Sequence, residues 1–170
     1  MSTAPPADEA ALLTRFQELG IAYTLHRHPP VHTVEESRRL RGDLPGGHCK
    51  NLFLKDRKDQ LWLVVTLEEA KLDLKRLPER IGAQRLSFGS PELMRAVLGI
   101  EPGAVTPFAL INDRERKVRP VFDKAMLAVD PLNFHPLHNA ASLAIAPGDL
   151  LRFARACGHE PRALDVAGGG

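Results

Sequence analysis

Hydrophobic positions near the start of the chain recur every three to four residues, placing Leu12, Leu13, Phe16 and Leu19 on one helical face. Asp8 stands where an N-cap belongs and Gly20 where a left-handed residue closes a helix, so the spacing predicts a helix between them. The period then drops to two: Ile21, Tyr23 and Leu25 alternate with smaller or polar residues as in a half-buried strand, which Pro29-Pro30 stops. Thr33 and Glu36 form a capping box for a short helix through Leu40.

Lys50 to Leu54 and Leu61 to Thr66 are rich in β-formers, and the polar run Asp56-Arg57-Lys58-Asp59 between them predicts a hairpin. Leu72, Leu74 and Leu77 suggest a short helix leading to a strand from Arg85 to Phe88. Ser90-Pro91-Glu92 supplies the N-cap, N1 proline and acidic first turn of a helix ending near Gly99. Phe108 to Ile111 and Val118 to Phe122 read as a second hairpin around Asp113-Arg114-Glu115-Arg116. Leu132 to Asn139 reads as a loop, Ala141 to Ile145 as a strand, Gly148 to Ala156 as a helix and Arg162 to Leu164 as a last short strand. Hairpins interspersed with helices predict a mixed α/β (α+β) fold, a single domain whose mixed, largely antiparallel sheet carries packed helices. The domain is expected over residues 7–166, with 1–6 and 167–170 as loose termini.

Composition changes this picture little. A chain of 170 residues with 44% hydrophobic content can fill one core. A net charge of +2 gives no reason to expect a protein that tracks long duplex DNA, yet it suffices for contact with one nucleic-acid end. No secretory signal or continuous apolar span is visible, and the two cysteines, Cys49 and Cys157, lack the spacing of a metal or redox pair. The expectation is a cytoplasmic protein without membrane contact. No G-x-G-x-x-G, no G-x-x-x-x-G-K-[ST] and no G-x-S-x-G stands behind a nucleotide-cofactor, NTPase or serine-hydrolase reading.

Three places could carry chemistry. Strand alternation sets Lys50 on the face of Leu52 and Leu54, so its ammonium either snorkels to water or sits at a pocket mouth, where it can hold a phosphate or a developing oxyanion. Gly103 and Pro107, with Thr106 between them, form a Gly-x-x-x-Pro element that is either a tight connection or a loop turning amide N–H groups toward a carbonyl. His135 lies in a stretch of mixed aromatic, amide and imidazole character, either a surface histidine beside a proline or a binding residue. The seven histidines raise metal binding, with His26 and His28 on one strand face, but no further ligand follows at a recognised spacing, so no metal and no cofactor is expected. Cys49 beside Lys50 could be an activated thiol, although alternation points the two to opposite faces.

Taken in order, His28-Pro29-Pro30-Val31-His32-Thr33, Gly47-His48-Cys49-Lys50-Asn51-Leu52-Phe53-Leu54, Leu86-Ser87-Phe88-Gly89-Ser90-Pro91-Glu92, Pro102-Gly103-Ala104-Val105-Thr106-Pro107-Phe108 and Asn133-Phe134-His135-Pro136-Leu137 span nearly the whole chain. Together they resemble the YbaK/prolyl-tRNA-synthetase-associated editing domain family, and within it the free-standing alanyl-tRNA(Pro) deacylases. The resemblance implies hydrolysis of alanine from mischarged proline tRNA, with the tRNA 2′-hydroxyl helping to activate water and with neither metal nor covalent nucleophile. It assigns Lys50 followed by Asn51, the Gly103 to Pro107 loop, and His135 to the site. Val31, Phe53 and Phe134 are then expected to wall a small alanine pocket, while His138 stays outside. Mischarged proline tRNA, met at its acceptor end, is the expected partner, and prolyl-tRNA synthetase a further one. Three other readings stay open: a non-catalytic module that binds a nucleic-acid end through Lys50, Arg85 and neighbouring cations, a hydrolase of some other small ester, and a cysteinyl-tRNA(Pro) deacylase of the same family.

Overall fold

The first helix forms where its caps demand. In a computed structural model that describes residues 6–29 and 46–167, α1 runs Glu9–Leu19, Asp8 accepts the Ala11 N–H at 2.9 Å, and Gly20 takes φ 69°. Leu12 and Phe16 are its buried side chains. The chain continues into β1 (Tyr23–Arg27). Val31 and the capping box at Thr33 and Glu36, with its helix through Leu40, lie outside the described residues.

The expected hairpin is present as β2 (Gly47–Asp56) and β3 (Leu61–Leu67), antiparallel with Lys50 opposite Thr66 and Phe53 opposite Leu63. Its turn is organised by the buried Asp56, whose carboxylate accepts N–H groups from Lys58, Gln60 and the Trp62 indole at 2.9, 3.0 and 3.1 Å. Burial alone would raise that carboxyl's pKa, but these bonds prevail and hold it below the ordinary value. A short helix α2 (Leu77–Ile81) leads to β4 (Leu86–Phe88), which pairs with the last three residues of β2. Next comes α3 (Pro91–Leu98), capped by the Ser90 hydroxyl, which accepts the Leu93 N–H at 3.1 Å.

The segment after α3 departs from expectation. Instead of a second hairpin, Pro102–Ala104 and Pro107–Asn112 form two 3₁₀ helices. Pro107 lacks an N–H for a ladder, Thr106 caps Phe108 at 3.3 Å, and Pro107 through Leu110 are buried consecutively, which an alternating half-buried strand would not allow. Asp113 fixes the exit by accepting the Lys117 and Val118 amides at 3.0 and 2.8 Å. β5 (Val118–Asp123) therefore pairs in parallel with β3 and with the final strand β8 (Arg162–Leu164). A single-turn helix α4 (Lys124–Leu127) follows β5. The stretch expected as a loop opens instead with β6 (Leu132–Phe134), and β7 (Ala141–Ile145) and α5 (Pro147–Ala156) complete the chain.

The eight strands make one sheet in the order β1-β7-β6-β2-β3-β5-β8, with β4 on β2. Four of the seven pairings are antiparallel and three parallel, the mixed sheet expected. The main core joins α1, α3 and α5 to one face, with Phe108 set edge-on against Phe16, Phe134 and Phe153. A smaller cluster around Leu54, Trp62, Val64 and Val121 covers part of the other face beneath α2. The remainder of that second face, over β1, β7, β6 and the start of β2, is polar.

Candidate active site

Alternation decides which side chains meet on this polar area. Leu132 and Phe134 of β6, and Leu143 and Ile145 of β7, belong to the main core. Asn133 and Ser142 therefore point to the opposite side, and His48, paired with Asn133, joins them. Lys50 lies two residues further along β2 on the same side. Half-buried, it donates from its Nζ to the Ala70 carbonyl, which takes one of its three ammonium donors. Opposite Lys50, the Thr66 hydroxyl donates to Asp123 at 2.6 Å, and both of those residues are buried. Neither Thr66 nor Asp123 was singled out in the sequence. The signal was faint: Thr66 is the one polar residue of β3, and Asp123 ends β5 after Pro120, Val121 and Phe122.

His135 follows β6 directly. Its Nδ1 lies 3.0 Å from the Ala141 carbonyl, which can only accept, so Nδ1 carries a proton and, in the neutral ring, Nε2 presents a lone pair. Burial pushes the imidazole below its ordinary pKa, and the neighbouring His28 and His138 push in the same direction against the Ala141 bond. The ring meets His28 edge-on at 6.4 Å. His28 donates from Nδ1 to the Pro29 carbonyl at 2.8 Å, and in its neutral form accepts the Ser142 hydroxyl at Nε2, 3.1 Å away. Depression of the His135 pKa gives a signed expectation. Native stability from its neutral form is present above the ordinary histidine value of 6.5 and is lost as pH falls through and below it. If Nε2 is the working acceptor, hydrolysis is expected to hold steady above that value and to decline only below it, as a pH–rate profile would show; an acid limb above pH 7 would contradict a neutral His135.

The Gly-x-x-x-Pro element reaches the same end of the molecule. A Cβ built on the exposed Gly103 would stand 3.4 Å from the Asn139 amide nitrogen, so the 3₁₀ turn and the loop after β6 lie side by side. Thr106 and Pro107 are buried and serve to shape that turn. Gly103 thus meets the loop that carries His135 and Asn139, and the β2–β6 register brings Lys50 alongside the strand from which that loop leaves.

Four other expected site residues are placed differently. Phe53 and Phe134 are each 3% exposed and belong to the main core. Phe53 lies against Gly89, where a Cβ would come within 2.5 Å of its ring, and Phe134 meets Phe108 edge-on. Neither lines an open pocket, because alternation turns them away from Lys50 and His135. Asn51 also faces the core side, with its Oδ1 buried and unpartnered among the described residues. Arg85 is exposed beside β4, where with Lys55 and Arg57 it lines a groove at the far end of β2. Ten residues of β2 at about 3.3 Å each separate the ends by roughly 30 Å, so Arg85 and His135 do not share one cavity. Burial pushes the Cys49 thiol up to about 12, which removes the activated-thiol reading.

Residues 28–153 match the aminoacyl-tRNA editing domain, and the chain belongs to that family. It is an aminoacyl-tRNA deacylase. Among its relatives, the prolyl-tRNA editing protein ProX of Acetoanaerobium sticklandii is 36% identical over 92% of this chain and 96% of its own. The prolyl-tRNA synthetase associated domain-containing protein 1 of Danio rerio is 38% identical over 92% of this chain and 86% of its own. A solved structure of a candidate trans-editing enzyme for prolyl-tRNA synthetase superposes with a TM-score of 0.68 at 20% identity, covering 99% of this chain and all of that one. The last likeness concerns the fold alone.

Proposed function

We propose that the protein clears alanine from mischarged proline tRNA, acting on the acceptor end in trans to prolyl-tRNA synthetase in the cytosol. The observation that carries the reading is the register of β2 with β6, which sets His48 opposite Asn133 and so brings Lys50 alongside the strand that leads into the neutral His135, in a chain related to a prolyl-tRNA editing protein. In the reaction, water adds to the ester carbonyl carbon, the bond to the terminal ribose oxygen breaks, that oxygen takes a proton, and the amino acid leaves as a carboxylate. An ester needs less activation than an amide, so a positioned water and a few donors supply useful catalysis. In this proposal His135 Nε2 accepts a hydrogen bond from the water or from the ribose 2′-hydroxyl, and Lys50 offers positive charge to a phosphate or to the developing oxyanion. Arg85 and its neighbours in the distant groove would contact the tRNA body electrostatically.

Because Phe53 and Phe134 do not form the size filter, alanine selectivity rests on other groups, Val31 remaining a candidate. The test compares proline tRNA charged with alanine, cysteine, serine or proline. Alanyl ester is expected to disappear at least about tenfold faster than prolyl ester, the range one steric clash provides. Equal rates for the two would refute the proposed selectivity, and a preference for cysteinyl ester would assign the chain a cysteine-clearing role.

A further inference from the structure

His135 owes its position to a loop that does not hold itself. Between β6 and β7 the chain turns through Leu137 at φ 72°, in the left-handed region that a branched apolar residue occupies only under constraint. The constraint comes from His138. Its Nδ1 accepts the Ala140 N–H at 3.0 Å, so in the neutral ring the proton sits on Nε2, which donates at 2.7 Å to Glu9. Glu9 belongs to the first turn of α1, 129 positions away in sequence, and is itself clamped by Arg27 through two bonds of 3.1 and 2.6 Å. The Arg27 bonds, chief among the causes, hold the Glu9 carboxyl below its ordinary pKa, so it stays an acceptor through the neutral range. A side chain on the first helix thereby reaches across β1 and fixes the loop that carries both His135 and Asn139.

We propose that Glu9 is a positioning residue for the deacylase: through His138 it locks the loop of residues 135–140 in the conformation that sets the His135 ring beside His28 and the Asn139 amide beside Gly103. Glu9 touches none of the proposed reacting groups and acts only through His138. The hydrogen-bond acceptor, rather than the charge, carries the effect, because His138 offers an N–H that any oxygen of the right reach can take. The titratable groups bearing on His135 are His28 and His138, and those bearing on His138 are Glu9 and, behind it, Arg27. Loosening the clamp frees the loop, exposes His135 to water and returns its titration toward that of an ordinary histidine.

The activity arm of the test rests on the editing reading, whereas the spectroscopic arm does not. Glu9→Ala and Glu9→Gln are compared with the parent protein by NMR titration of the His135 ring and by kcat and KM for alanyl-tRNA(Pro) at several pH values. In Glu9→Ala the His135 midpoint is expected to rise, the acid limb of the rate profile to rise with it, and kcat to fall about tenfold while KM barely moves, as misplacement of an acting group predicts. Glu9→Gln, which keeps an oxygen for His138, is expected to restore most of all three. If Glu9→Ala does not fold, His138→Ala removes the same link without touching α1 and must, besides raising the His135 midpoint, speed hydrogen exchange of the Leu137 and Asn139 amides, which loss of the His138 charge alone would not do. An unchanged His135 titration in the folded Glu9→Ala or His138→Ala protein overturns the proposal, as does a Glu9→Gln protein no better than Glu9→Ala. Should the parent protein fail to hydrolyse alanyl ester, the proposed substrate falls, and the His135 titration still decides the role of Glu9.

Discussion

Replacing Lys50 with alanine is expected to cost about 10²- to 10³-fold in kcat/KM for alanyl-tRNA(Pro), the range seen when one donor to a developing oxyanion is deleted. The fold should survive. Lys50 is half-buried on the polar area of the sheet, and its ammonium binds one loop carbonyl at Ala70. Its stem has Thr66 across the strand rather than a packed apolar neighbour, so truncation opens no large cavity. Lys50→Arg should not rescue the rate, since a planar fork cannot occupy the place of a compact ammonium. The pair of measurements is a thermal melt and single-turnover deacylation: a normal melt with a near-parental rate would strip Lys50 of its role.

The second large effect is on stability. Phe134→Ala is expected to destabilise the protein by roughly 3–5 kcal/mol, because the ring is almost fully buried and packs edge-on against Phe108 at 5.6 Å. For a chain of this length that corresponds to a fall in melting temperature of roughly 10 °C. The ratio of alanyl to prolyl hydrolysis, measured on one tRNA at a temperature where the variant is folded, should stay as in the parent. A Phe134→Ala protein with an unaltered melt and a faster prolyl reaction would restore Phe134 to the pocket wall.

Local rules made much of the fold legible. Asp8, Gly20, Ser90 and Gly99 cap helices where their residue types required it, and the β2–β3 hairpin followed from alternation around a polar turn. Two misreadings share one cause, which is that short buried segments carry no period. Phe108 to Ile111 has the composition of a strand, but Pro107 and the Thr106 cap settle it as 3₁₀ helix. Leu132 to Phe134 becomes a strand only because distant β2 and β7 flank it. Of the candidate site, Lys50, Gly103 and His135 stood out in the sequence because their motifs are local. Glu9, Thr66, Ser142 and Asp123 carried little signal because their partners lie far away in sequence. Phe134 was misassigned because it adjoins His135 in sequence, although consecutive strand residues face opposite ways.

The two thiols give the protein a property unrelated to editing. With Cys49 pushed up to about 12 and Cys157 to about 11 by burial, only about one Cys49 in 10⁵ is thiolate at neutral pH, and the thiolate is the form that oxidants and alkylating agents attack. Both thiols are thus expected to react slowly with peroxide and maleimide in the folded protein, and Cys49, which lies in β2, to react faster when the sheet opens. The rate at which Cys49 is modified therefore clocks the opening of β2 and its neighbours.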